Sequence, residues 1–303
     1  MSKLKSINIK LTCTGDCRGC ESYYDCILPQ KHNPVFLDIM ENIRERLSNV
    51  KHKIISIGGK GGVGKTLIAA NLATALTMMG KKVGVLDQVF DGPCIPRMLG
   101  VEGKGMNFVD KGLEPAVNDL GIKVVSMGLI LASDEVVTWF HNMKRNATEE
   151  LLYQVNYGEL DYLIIDVPAG TSSDTVNVLQ LIPDIDGGTV ATVPSQVSQA
   201  VAFKAITLLK KANLRVFGVF ENMGTFLCPF CGKKENLIQE GGGEDLAERT
   251  GVPFLGSIPT DERVAECADE GVPVVKKYPD SDPARIFMSA AKRIDRIISG
   301  GVE

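Results

Sequence analysis

Nothing in the 303 residues approaches the run of ~18 apolar residues that a membrane-spanning helix requires. The opening "MSKLKSINIKLTCTGDC" also lacks the long apolar core and small-residue cleavage site of a secretory signal. A cytoplasmic protein with no membrane partner is expected. Basic excess is missing as well: the net charge is −4, against the strongly basic balance of a general nucleic-acid coat, so no nucleic-acid partner is expected. The three histidines (His32, His52, His141) are scattered and form no ligand cluster. Internal repeats and low-complexity tracts are absent too.

Cysteine, by contrast, is plentiful and clustered. Cys13, Cys17, Cys20 and Cys26 lie together, Cys228 and Cys231 form a pair, and Cys94 and Cys267 stand alone. In a reducing compartment such clusters read as thiols or metal ligands rather than disulfides. Residues 1–33 are too poor in apolar side chains to fold alone, so metal binding there would supply the folding energy. The compact four-cysteine spacing favours an iron–sulfur cluster over zinc, which prefers two well-separated pairs. Cys228 and Cys231 cannot complete a four-thiolate site by themselves. A lone pair is redox-active, half of a zinc ribbon, or shared between subunits. Two pairs meeting at a two-fold axis would hold a [4Fe–4S] cluster or zinc. Cys94 and Cys267 are expected to be buried thiols; the lesser alternative for Cys94, which follows the switch segment, is a place at a dimer interface.

After a capped helix at 33–47, strands and helices alternate. "KIISIGG", "KVGVLD", "IKVVSM", "LDYLIIDVP", "GGTVATVP", "LRVFGVFENM" and "VPFLGSIP" read as strands, several almost continuous in branched apolar residues. This is the pattern of an α/β fold, a doubly wound and mostly parallel sheet at 34–303, with residues 1–33 as a small metal-binding appendage. The last helix, from "SDPARIF", should dock through Ile286, Ala290, Ile294 and Ile298.

The chemistry starts where the first strand meets the next helix. "GGKGGVGKT" satisfies G-x-x-x-x-G-K-[ST] from Gly59 to Thr66. Gly59, Lys60, Gly61, Gly62, Val63 and Gly64 would turn backbone N–H groups toward phosphate oxygens, at a helix end whose dipole favours anions. Lys65 would reach the β- and γ-phosphates of ATP, and Thr66 would ligate Mg²⁺. Asp166 ends the strand "LDYLIID", where it can hold the Mg²⁺ shell, and Gly170 can offer its N–H to the γ-phosphate. Asp87 closes another strand. Two residues later, where a second acid would handle water, stands Val89, with Gln88 and Asp91 as its polar neighbours.

Taken with "GPCIPRMLG", "VVSMG", "LDYLIIDVPAGT", "FENM" followed by "CPFCG", and "GVPFLGSIPTDERV", these motifs resemble the Mrp/ApbC-type iron–sulfur cluster carrier ATPases, from about Ile54 to Tyr278. "KGGVGKT" is similar to the deviant P-loop of the MinD/ParA/nitrogenase-iron-protein group. That resemblance implies a homodimer in which Lys60 reaches the partner's nucleotide, and in which Asn222 reads the adenine edge. It further implies that position 89 usually carries the water-positioning aspartate, so hydrolysis should be slow unless Gln88 or Asp91 substitutes. "WFHNM" at 139–143 replaces a "WRGPM"-like element. The implied activity is ATP-dependent assembly and transfer of a [4Fe–4S] cluster to apo iron–sulfur client proteins. An ATP-gated electron donor to a redox partner is the alternative, and a partition ATPase with structural zinc fits the acidic balance poorly.

Overall fold

The computed structural model describes residues 34–110, 112–131, 137–227, 230–231, 233–235 and 241–301. The N-terminal cysteines Cys13, Cys17, Cys20 and Cys26, and Cys228, lie outside the described residues.

The main sheet is set by its apolar strands. β1 (Val50–Gly58), β2 (Val83–Asp87), β7 (Leu160–Asp166), β8 (Gly187–Thr192) and β9 (Arg215–Leu227) pair in parallel as the sequence predicts, with β7 lying between β1 and β2. The short strands β3 (Asn107–Val109) and β4 (Gly112–Glu114) form a separate hairpin, while β5 (Ala116–Val117) and β6 (Lys123–Val125) extend the β2 edge. At the other end β9 carries β10 (Lys234–Glu235), antiparallel, and β11 (Phe254–Thr260), parallel. Antiparallel pairing is confined to β5 and β10 in this sheet.

Side-chain alternation along each strand splits the core in two. Ile54, Val83, Val85, Tyr162 and Ile164 face one layer, built on α2 (Lys65–Met78), α3 (Ile95–Met98), α8 (Glu262–Glu270), α9 (Val274–Lys277) and α10 (Asp282–Ile298). Ile55, Ile57, Leu86, Leu163 and Ile165 face the other, built on α1 (Pro34–Arg46), α4 (His141–Gln154), α5 (Ser173–Leu181), α6 (Gln196–Lys211) and α7 (Gly242–Thr250). With both faces covered, β7 is buried along almost its whole length, which is why it could be read as a buried strand from its composition alone. The carboxyl ends of β1, β7 and β2 open on one edge, at the point where successive connections leave in opposite directions. Ligands of open α/β sheets bind in such a crevice.

One expectation needs correction, and one element went unread. The buried face of α10 is Pro283, Ala284, Phe287, Ala290, Ala291 and Ile294, so the predicted stripe is rotated, and Ile286 and Ile298 sit at its half-buried margin. The cause is its two-sided packing on α2 and β11, which favours Phe287 in the centre. The β3–β4 hairpin was not legible, because three-residue strands carry too little alternation to read. Its Gly112 takes φ 124°, and a Cβ there would lie 2.2 Å from the Gln154 carbonyl oxygen.

Phe287 is fully buried, 5.9 Å from Phe220 between ring centroids. Phe287→Ala is expected to lower unfolding free energy by about 3–5 kcal/mol, the usual result of emptying a buried ring site. Chemical denaturation of the native and variant chains without nucleotide checks this, and a loss below about 1 kcal/mol would show that α10 is only loosely docked.

Candidate functional site

The loop 59–64 between β1 and α2 is shaped by its glycines. Gly62 and Gly64 sit at φ 78° and 90°, in the left-handed region where a side chain is strained. A Cβ on Gly59 would lie 2.3 Å from the Val201 carbonyl carbon, so α6 can approach only a glycine here. Gly61 and Gly62 face open space with nothing within 4 Å. No side chain caps the first turn of α2, which leaves its N–H groups available for an anion. Lys65 is nearly buried beside them; burial lowers its pKa, against which Asp166 pulls upward. Lys60 is exposed on the outer rim of the loop.

Beneath the loop two acids stand abreast. Asp87 and Asp166 are direct partners in the β2–β7 register, and both are buried. Asp166 accepts a 2.6 Å hydrogen bond from the Thr66 hydroxyl through one oxygen, while its other oxygen, Oδ1, is buried without a partner. Asp87 accepts from the Val89 N–H at 3.0 Å and from the Ser126 hydroxyl at 3.1 Å. Burial pushes both carboxyls up from the ordinary value, and for Asp87 the neighbouring Asp166 adds to the rise. A hydroxyl, an orphaned carboxylate oxygen and a second acid beside a phosphate cradle are the oxygen donors that suit Mg²⁺, so the residues present fit that ion.

The segment after β2 is bonded to this centre through backbone and to α4 through side chains. Val89 is half-buried and offers no polar side-chain group. Gln88 accepts from the Thr148 hydroxyl at 2.8 Å, and Asp91 is paired with Lys144 at 2.6 Å. Each neighbour is thus held by α4 through one oxygen, while the Gln88 amide nitrogen is buried with no hydrogen-bond partner. The Gly170 N–H donates to the Gly58 carbonyl at 2.9 Å, so reaching a phosphate requires that bond to break first. Asn222, on β9, donates its amide to the Val63 carbonyl at 3.2 Å and covers Gly64. Sequence reading missed Ser126, Thr148 and Lys144; the last two lie four apart on one face of α4, a spacing that gives the shared face but not what it meets.

The cysteines separate. Cys231 is exposed in the turn between β9 and β10, next to Phe230, which is 96% exposed. Cys267 is buried, as expected. Cys94 is not: it is exposed at the start of α3, donating to the Gly92 carbonyl at 3.4 Å, because α3 is a single turn that begins at the surface. Its thiol is pushed up by desolvation and by the fields of Asp87 and Asp166, which makes it a poor thiolate. Among the described residues no three His, Cys, Asp or Glu side chains are arranged to hold a metal ion.

The buried acid pair gives the nucleotide-free chain a signed pH dependence. Above about pH 4 the unfolded chain has lost these protons while the folded chain keeps them, so stability falls as pH rises toward the elevated folded values. Asp87→Asn removes the repulsion. In nucleotide-free denaturation it is expected to unfold later than the native chain at pH 8 and together with it near pH 4. Equal midpoints at pH 8 would show that the two carboxylates are not in conflict.

Comparison with known proteins places this geometry. The family model described as the NUBPL iron-transfer P-loop NTPase, of the ParA type, matches residues 49–295. An iron–sulfur cluster carrier protein of Methanocaldococcus jannaschii is 41% identical over 292 residues, covering 96% of this chain and 99% of the relative. The cytosolic Fe–S cluster assembly factor NUBP2 of Homo sapiens is 39% identical over 253 residues, covering 82% of this chain and 93% of the factor. Among solved structures, a nucleotide-binding protein of Archaeoglobus fulgidus in complex with ADP superposes with a TM-score of 0.68 at 37% identity, covering 77% of this chain and 91% of that one. A cell-division ATPase MinD of Pyrococcus furiosus gives 0.58 at 25% identity, covering 82% and 100%. No helix among the described residues is long and apolar enough to cross a membrane. The chain belongs to the NUBPL-type family of iron-transfer P-loop NTPases.

Proposed function

We propose that this chain is an ATP-dependent carrier that holds a [4Fe–4S] cluster and delivers it to apo iron–sulfur proteins, working as a homodimer. The observation that carries the reading is the course of β9. At Asn222 it touches the P-loop carbonyl of Val63, and it ends at Leu227, the residue before Cys228 in the sequence, on the way to the exposed turn that holds Cys231. One strand thus runs from the phosphate cradle toward the cysteine pair.

The residues divide the work. The N–H groups of residues 59–66 surround the phosphates, with Lys65 on the β- and γ-oxygens and Lys60 reaching the nucleotide of a second copy. Thr66 and Asp166 hold Mg²⁺, whose charge steadies the phosphate oxygens, and Asp87 orders the surrounding water. Gly170 exchanges its Gly58 bond for the γ-phosphate, which would move the loop before α5 when that phosphate leaves. Asn222 keeps its carbonyl oxygen for the adenine amino group. Cys228 and Cys231 from two copies supply four thiolates for the transferred cluster, and Cys13, Cys17, Cys20 and Cys26 hold a second cluster with local ligands. Phosphoryl transfer depends on charge stabilisation and on placing the water, and here only the first is complete. Hydrolysis is therefore slow, which keeps the ATP-bound form available for a client.

Three outcomes follow. Anaerobically loaded native protein should pass its cluster intact to an apo-ferredoxin, and Cys228→Ala or Cys231→Ala should abolish both the bridging iron and the transfer. Full iron content in Cys228→Ala, or a reversible redox couple with no transfer, would sink the carrier reading. Deleting residues 1–33 should remove the iron of one cluster and leave ATP binding intact. Val89→Asp should raise hydrolysis by ~10²–10⁴ at matched ATP affinity, the usual worth of a positioned acid–base group. If native protein already turns over as fast, the slow-switch idea is wrong.

A further inference from the structure

Helix α4 grips the segment after β2 at three successive levels. Trp139, just before the helix, packs on Phe90 with ring centroids 6.1 Å apart. One turn in, the Lys144 ammonium meets Asp91 at 2.6 Å, and one turn further the Thr148 hydroxyl meets Gln88 at 2.8 Å. Lys144 also lies 3.8 Å from Asp174, in the first turn of α5. The Lys144 side chain is only 15% exposed and that of Asp91 66%, so the pair is sheltered from water on the lysine side. The two acids it meets belong to different segments: Asp91 follows Asp87 out of β2, and Asp174 follows Asp166 out of β7. A single ammonium ties together the two loops that leave the buried acids.

We propose that Lys144 is a positioning residue that holds residues 88–91 in a resting arrangement, and that turnover requires Asp91 to be released from it. The inference rests on the ATP-driven reading above. As clasped, Gln88 is not free to turn toward an attacking water: its carbonyl oxygen accepts from Thr148, its amide nitrogen is buried without a partner, Val89 is apolar, and the Asp91–Lys144 pair fixes the end of the segment. A hydrolysing arrangement must therefore differ from this one, and each contact with α4 shifts the population away from it. Because α4 also displays Phe140 and Met143 at its exposed head, whatever binds there has a direct handle on the clasp.

The chain has one tryptophan, and Trp139 is in the clasp, so its emission reports the arrangement without any enzymology. Lys144→Met and Asp91→Ala break the same ion pair from opposite sides. In nucleotide-free protein both should move the Trp139 emission toward that of native protein carrying a non-hydrolysable ATP analogue. Both should raise single-turnover hydrolysis about fivefold, the effect of losing one half-buried ion pair, with ATP affinity unchanged. The double variant should be no faster than either single one, and Lys144→Arg should keep the native emission and rate. Acceleration in only one single variant, additive acceleration in the double, or unchanged emission in Lys144→Met overturns the proposal. If ATP does not bind at all, the carrier reading fails, and the nucleotide-free emission still decides the clasp.

Discussion

The arrangement of this molecule turns on two carboxylates that the sheet forces together. Parallel pairing of β2 with β7 sets Asp87 directly beside Asp166, and the helices covering both sheet faces deny them water. Two like charges so placed repel, so without a cation the fold retains a proton there that the unfolded chain would lose. The surrounding donors soften this conflict without removing it: Thr66 serves one acid and Ser126 the other, and one Asp166 oxygen is left with no hydrogen bond. Such a site is built for an ion with positive charge and several open coordination positions. The conflict also explains the uncapped start of α2, since a phosphate would bring the cation and satisfy the helix end at once.

Much of this was legible in the sequence for physical reasons that can be named. β1, β7 and β8 are buried on both faces, so their composition marks them as core strands. Gly59, Gly62 and Gly64 are spaced for a loop that must bend left-handed and lie against other backbone, and the structure shows each doing one of these. What stayed hidden depends on tertiary placement. Nothing local tells that Lys144 and Thr148 face the β2 loop, because helical spacing gives a shared face without saying what lies opposite. Cys94 was misjudged for a similar reason: thiols are usually buried, but a one-turn helix at the rim leaves this one outside.

The departures at 88–91 form one unit in the fold. Val89 by itself looks like damage to a hydrolytic site. Beside it, Gln88 and Asp91 have found partners on α4, and Phe90 has found Trp139. The segment makes three interactions with one helix, so its position depends on where α4 stands.

β9 sets the mechanical terms on which nucleotide and cysteines can communicate. From Asn222 to Leu227 it covers about 17 Å. It cannot slide by a single residue, since that would send every buried side chain into the opposite layer of the core. Bending is the motion left, and the strand has a place for it: Met223, directly after Asn222, sits at φ 58°, and the pairing with β11 shifts register close by. The segment from that kink to Leu227 is a lever whose near end lies against the P-loop. A tilt of a few degrees at the Asn222 end becomes a displacement of about an ångström at Leu227, too little to dismantle the sheet.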